Sequence, residues 1–216
     1  GSVVTWGSAG CGGNSSAVRE QLTADVQHVA GTGFAFAAVK GDGSVVTWGD
    51  ASRGGDSSAL HEQLAADVQS IASTGCAFAA VKGDGSVVTW GDAGAGGNST
   101  AVREQIATDV QQVAGSWRAF AAVKADGSVV TWGDANAGGD SRALREQLSA
   151  DVQQVTGTEC AFTAVKADGS VVTWGRADYG GDSSFVHRQL TDVKRLASTR
   201  SAFAAVKGDG SVVTWG

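Results

Sequence analysis

Apolar residues follow two rhythms along this chain, and the two alternate. In the stretch Gly43–Asp84, SVVTW places Val45 and Thr47 on one side and Val46 and Trp48 on the other. A short β-branched and aromatic run bounded by glycines predicts a strand, and apolar residues on both sides predict that it is covered on both faces. DASRGGDSS follows and predicts a loop. In ALHEQLAADV, Leu60, Leu64 and Val68 stand at i, i+4 and i+8, which predicts a short helix with one apolar face. Asp56 or a following serine can cap its start. VQSIAS and AFAAVK then predict two further strands. KGDGS turns the second of them into the next SVVTW as a tight hairpin.

This sequence of elements recurs. GSVVTWG occurs six times, and its tryptophans are Trp6, Trp48, Trp90, Trp132, Trp174 and Trp215, spaced by 42 residues four times and then by 41. The chain is read as one repeat domain, 1–216, with units 1–42, 43–84, 85–126, 127–168 and 169–209 and a terminal strand 210–216. The short interval reflects QLTDV where unit four has QLSADV. A residue lost from a helix keeps Leu190 and Val193 on one face, whereas in a strand it would reverse every side chain that follows.

Three strands of about five residues cannot stand alone in water, so units must stack on one another. In AFAAVK, Ala77, Ala79 and Val81 share one face, and Phe78 and Ala80 share the other. Small residues suit the crowded centre of a radial assembly, with the repeat tryptophans wedged between sheets further out. The expected fold is mainly β with short helices, a propeller-type repeat array of five units, either open or closed as a five-bladed ring.

The core AFAAVKGDGSVVTWG (Ala77–Gly91), present with small changes in every unit, resembles the repeat of the regulator-of-chromosome-condensation (RCC1-like) family, whose seven-bladed propellers carry a DG…TWG motif. The wording also resembles repeat arrays of dinoflagellate algae similar to the propeller portions of large HECT-type ubiquitin ligases. The chain departs from the family pattern in several ways. The histidine that precedes the family's small-residue strand is replaced by Ala35, Ala77, Ala119, Ala161 and Ala202. The family's GQLG becomes GGDSS or GGNSS, and the AVREQL segment stands where the family has its first strand. Five units cannot close a ring of seven. The resemblance implies a scaffold for protein partners, and no counterpart of the HECT catalytic domain is present.

Composition narrows the picture. Of 216 residues, 16 are Lys or Arg and 22 are Asp or Glu, a net charge of −6 that argues against a nucleic-acid partner. No apolar run is long enough to cross a bilayer as a helix. Cys11, Cys76 and Cys160 form no CxxC pair, which favours a reducing intracellular compartment, and the algal likeness adds a plastid. The first residue is Gly1, which suggests a processed or excerpted chain.

Catalytic chemistry is not expected. His28, His61 and His187 have no partners suggestive of a triad, and Cys76 and Cys160 occupy equivalent positions two units apart. Asp134, Asn136 and Asp140 are similar to an oxygen-rich calcium loop, but Arg145 stands where the terminal glutamate should be, so no metal and no cofactor is expected. Asn14-Ser-Ser and Asn98-Ser-Thr match the glycosylation sequon and read as caps. Differences between units cluster in the loop after TWG and in the turn before AFAAV. Aromatic and arginine side chains there are the candidate protein-binding residues: Phe34, Arg53, Trp117, Arg118, Tyr179 and Arg200. The reading is a non-catalytic protein–protein interaction scaffold with no small-molecule substrate. A structural accessory subunit of a larger, photosynthetic assembly is an alternative. An engineered or excerpted repeat array without a partner is another, favoured by the absence of Met and Pro.

Overall fold

A computed structural model describes residues 1–216. It contains five three-stranded antiparallel sheets, here called blades, each with its strands in chain order. Blade 1 is β1 (Val26–Gly31), β2 (Ala35–Lys40) and β3 (Val45–Gly49). Blade 2 is β4 (Val68–Ser73), β5 (Ala77–Lys82) and β6 (Val87–Gly91). Blade 3 is β7 (Val110–Gly115), β8 (Ala119–Lys124) and β9 (Val129–Gly133). Blade 4 is β10 (Val152–Gly157), β11 (Ala161–Lys166) and β12 (Val171–Gly175). Blade 5 is β13 (Val193–Ser198), β14 (Phe203–Lys207) and β15 (Val212–Trp215). Each sheet joins the VQSIAS-type and AFAAVK-type strands of one unit to the SVVTW of the next, so sheets and sequence units are out of phase.

The alanine strand is the middle strand of each blade and its two faces meet different neighbours. Ala35, Ala37 and Val39 of blade 1 pack against Phe78, Ala80, Val88 and Trp90 of blade 2. Ala77, Ala79 and Val81 of blade 2 pack in turn against Phe120, Ala122, Val130 and Trp132 of blade 3. A small face therefore always receives a large one. Within the large face, cross-strand partners Phe78 and Trp90 stack with ring centroids 5.2 Å apart, and the other four blades repeat this geometry.

Each buried indole also reaches back one blade. Trp90 Nε1 donates to the Gly54 carbonyl at 3.0 Å, and Trp48, Trp132, Trp174 and Trp215 do the same to Gly12, Gly96, Gly138 and Gly180. Those glycines have φ between 88° and 103°, a left-handed conformation that disfavours side chains. A Cβ on Gly54 would also lie 2.6 Å from the Phe78 ring. Trp6 differs from the other five: it lies outside any strand and is 85% exposed, with neither a middle strand to offer it a phenylalanine nor an earlier glycine carbonyl to accept its N–H.

The expected short helices are present, as 3₁₀ turns shorter than the apolar spacing implies. Within these segments Ser58–Leu60, Thr100–Val102, Arg142–Leu144 and His187–Gln189 are 3₁₀ before blades 2 to 5, and Ser16–Leu22 before blade 1, while further 3₁₀ turns follow TWG in the loops, such as Ala51–Arg53 and Ala93–Ala95. Leu64 N–H still bonds the Leu60 carbonyl, and Leu64 and Val68 are buried in one cluster, so the apolar spacing reports a real shared face. A helix cannot grow there because Asp67, at φ 68°, turns the chain left-handed, as do Asp25, Asp109, Asp151 and Asp192. The loop absorbs the missing residue of unit five, with Leu190 and Val193 both buried. Asp56, Asn14 and Asn98 accept the N–H two residues on, the capping role read from the sequence.

The array is open, which corrects the five-bladed ring. A ladder of backbone hydrogen bonds runs from Gly33 N–H to Gly75 O, Gly75 N–H to Trp117 O, Trp117 N–H to Glu159 O and Glu159 N–H to Arg200 O. It stops at Arg200 instead of returning to Gly33.

Two outcomes follow for stability. Thr163 stands where blades 1, 2, 3 and 5 have Ala37, Ala79, Ala121 and Ala204, and its buried hydroxyl has no hydrogen-bond partner. Thr163→Val, an isosteric exchange, is expected to stabilise the protein by about 1 kcal/mol, read from the denaturant midpoint. In the hairpins, Asp42, Asp84, Asp126, Asp168 and Asp209 are held below the ordinary value of 3.8 by the hydroxyl and then the N–H of the following serine. Folded values below unfolded ones give stability that is present above pH 3.8 and lost as pH falls through the folded values. A denaturant midpoint that is level above this pH and declines below it is expected. Replacing all five by Asn should flatten the decline.

Candidate functional site

The two clusters of differences between units lie on one end of the array. In each of blades 1 to 4 the turn between first and second strands is tied to the loop after TWG. Thr74 Oγ1 donates to the Ala95 carbonyl, Ser116 Oγ to Ala137 and Thr158 Oγ1 to Tyr179, at 2.8–3.1 Å, and Thr32 approaches Arg53 in the same way at 3.5 Å. The backbone adds Asp50 N–H to Phe34 O, Asp92 to Cys76, Asp134 to Arg118 and Arg176 to Cys160. The opposite end carries the Lys-Gly/Ala-Asp-Gly hairpins, nearly identical in all five blades. One end is thus uniform and the other is individual.

All six candidate residues sit on the individual end, and the structure pairs them locally. The Arg53 guanidinium lies over the Phe34 ring, 3.7 Å from its centroid. Arg118 Nε is 3.4 Å from Asp134. Tyr179 is covered by Arg176 at 4.7 Å, and Arg176 also binds Asp178. Arg200 clasps the Glu159 carboxylate of the adjoining blade with two donors, at 2.5 and 3.2 Å. That guanidinium holds the Glu159 carboxyl below its usual range. Asp178 is held down by Arg176 in the same manner.

At the centre of this end, the five first turns converge on an open cavity of about 650 Å³. Its walls include Gly33, Gly75, Trp117, Glu159 and Arg200, the five rungs of the ladder. Trp117 and Arg200 therefore share one mouth, whereas Phe34, Arg53, Arg118 and Tyr179 do not line it. Trp117 is 44% exposed. Its indole lies across blade 2, where a Cβ on Gly75 would meet ring atoms at 2.6–2.8 Å, and its tip reaches Gly33 of blade 1. Gly75 has no positive φ; its missing side chain is the seat of the ring.

Sequence reasoning placed Glu159 and Gly75 at the same variable unit position as Trp117 and Arg200 but did not choose them as binding residues. It also missed Phe185, 96% exposed where other units have alanine. Burial pushes the Cys76 and Cys160 thiols up, which keeps them protonated at neutral pH. Asp134 and Asp140 are engaged by different arginines, Arg118 and Arg142, and no group of three or more His, Cys, Asp or Glu side chains is placed to hold a metal ion.

No family model matches the sequence, and no curated protein matches it. Solved structures do. Prp20p from Saccharomyces cerevisiae, the yeast RCC1, is 15% identical with a TM-score of 0.61 over 97% of this chain and 64% of that one. Human WBSCR16 is 16% identical with a TM-score of 0.58, over 88% of this chain and 61% of that one. The ectodomain of the Arabidopsis thaliana receptor kinase ACR4 is 19% identical with a TM-score of 0.55, over 88% and 63%. The chain spans less than two thirds of each of them. At such identities the likeness is one of fold, and the fold is an array of RCC1-like propeller blades. These structures lend no support to the likeness with dinoflagellate ligase-like arrays.

Gly75→Ala is expected to lift the Trp117 indole from its seat. The check is a change in tryptophan emission and quenching that is absent in a Trp117→Phe background, with the far-ultraviolet circular dichroism unchanged.

Proposed function

We propose that this chain is a non-catalytic scaffold that binds a protein partner through the individual end of the array. The observation that supports this reading is the segregation of side chains. Five blades present one backbone, yet one end repeats the same Lys and Asp hairpin while the other carries Trp117 and Arg200 at a single mouth and Phe34, Arg53, Arg118 and Tyr179 in its turns and loops. Trp, Tyr and Arg are the residues that dominate protein–protein contacts, and loops on a rigid frame are where such contacts are built. The arginines of the ion pairs on this end are exposed, so the pairs contribute little to stability and the guanidinium groups are free to be exchanged for a partner's charges.

The solved relatives are in keeping with it. One structure describes Prp20p together with its binding properties toward Gsp1p and histones, and another shows Prp20 bound by Kap60. For this chain the corresponding proposal is a protein partner of mixed charge, since Arg53, Arg118, Arg176 and Arg200 alternate with Asp50, Asp92, Asp134, Glu159 and Asp178 on the same end. The balance fits neither a polyanion nor a strongly basic tail.

The test is affinity capture from the source organism with three baits. They are the unaltered chain, a Trp117→Ala/Arg118→Ala/Arg200→Ala variant, and a Lys82→Ala/Lys124→Ala/Lys166→Ala variant on the uniform end. A protein retained by the first and third baits but weakened at least about tenfold on the second is the expected result. Identical capture by all three would overturn the assignment of the binding face.

A further inference from the structure

First strands of neighbouring blades meet one another, which leaves the third strand of each blade as an outer edge that no other strand covers. In the middle blade, the backbone of β9 alternates along that edge. The Ser128 carbonyl accepts from Lys124 N–H, and Asp134 N–H donates to the Arg118 carbonyl. Between these two bonds, Val130 and Trp132 turn their backbone groups toward β8, and Val129, Thr131 and Gly133 turn theirs away. The loop before β10 uses the first outward groups: Val129 N–H bonds the Leu148 carbonyl, and the Gly127 carbonyl accepts from Val152 N–H. At the far end Gly139 lies against Gly133, where a Cβ would sit 2.7 Å from the Gly133 carbonyl. Thr131 lies between, and no protein group bonds its N–H or its carbonyl.

This free position opens into a groove of about 800 Å³. Its lining runs from Ala101 to Ser149, in the loops before β7 and β10 and along β9, so it lies wholly among internal units. Val102, Val129 and Leu148 give it apolar surface. Its charged residues are Asp140, Arg142 and Arg145. Arg142 pairs with Asp140 while its side chain stays 89% exposed, and Arg145 makes no ion pair. Two guanidiniums against one carboxylate make the groove cationic on a chain of net charge −6. The positions of Arg142 and Arg145 hold Ser58 and His61 beside β3, Thr100 and Arg103 beside β6, and Ser184 and His187 beside β12. Two arginines meet at these positions only beside β9.

We propose that the outer edge of the middle blade docks an extended acidic peptide. None of the six residues of the individual end lines this groove, so it is a second interaction surface, independent of the first. The occupant follows from the groups left free. A residue in extended conformation can exchange both backbone bonds with Thr131, whereas a helix has already bonded its own backbone internally. Side chains of an extended segment alternate. Those on one side lie against Val102, Val129 and Leu148, and glutamate or aspartate on the other reach Arg142 and Arg145. Opposite charge selects against basic segments.

The experiment measures binding of the whole chain to three sets of labelled heptapeptides by fluorescence polarisation. The first set alternates valine, isoleucine or threonine with glutamate. The second carries lysine in place of glutamate. The third repeats the first with its backbone nitrogens methylated, which removes the N–H donors. Members of the first set are expected to bind with Kd below about 1 mM, and both other sets at least about tenfold more weakly. An Arg142→Ala/Arg145→Ala variant alters two exposed side chains, so its thermal midpoint stays unchanged while it too loses about tenfold in affinity for the first set. Amide hydrogen exchange under the first set should slow at Thr131 and not at Thr47, Thr89 or Thr173. Absence of binding by every member of the first set would overturn the proposal. So would affinity indifferent to methylation or to loss of the two arginines, or protection that falls elsewhere than Thr131.

Discussion

The array depends on one contact made across every seam: a tryptophan that stacks on the phenylalanine of its own blade and gives its N–H to a left-handed glycine of the blade before. An indole buried without a partner for its nitrogen would cost more than the stacking returns. The glycine carbonyl removes that cost, and the glycine's bare Cα lets the phenylalanine ring lie against it. Three residues from two blades thus specify spacing, tilt and order together. Loss of such a side chain to alanine in a close-packed core costs about 3–5 kcal/mol, a large share of the stability of a domain of this size. The alanines of the middle strand complete the seam by letting the large face approach.

Much of this was legible in the sequence because the pattern behind it is physical and repeated. SVVTW, VQSIAS and AFAAVK form the strands expected of them, and the two faces of AFAAVK divide as their alternation implies. The short helix was legible in type but not in length: Leu60, Leu64 and Val68 do share a face, while the residue that stops the helix, Asp67, carries no strong signal as a left-handed position. Whether the array closes could not be read from one unit either. Closure depends on the angle between blades, a property of packed side chains and not of any single strand.

The candidate site was legible in part for a different reason. Trp117, Arg118, Tyr179 and Arg200 stood out as departures from a repeated background, and that background also fixed which turns they occupy. What it hid was adjacency. Nothing in the spacing of 21 residues between Ser116 and Ala137 says that the first turn and the loop after TWG are bonded together; the antiparallel order of three strands brings them to one end. Gly75 was invisible as a functional residue because its contribution is the space it leaves for a ring from the next blade.

The uniform polarity of the ladder has a consequence for how such a chain changes over generations. Every blade donates forward and accepts from behind through the same atoms, so a whole unit can be gained or lost by unequal recombination without stranding a bond in the middle of the array. Small errors at the crossover are absorbed as well, since the 3₁₀ loop of blade 5 accommodates an interval of 41 residues in place of 42 with Leu190 and Val193 still buried. Such an architecture can vary its length far more readily than the chemistry of its seams.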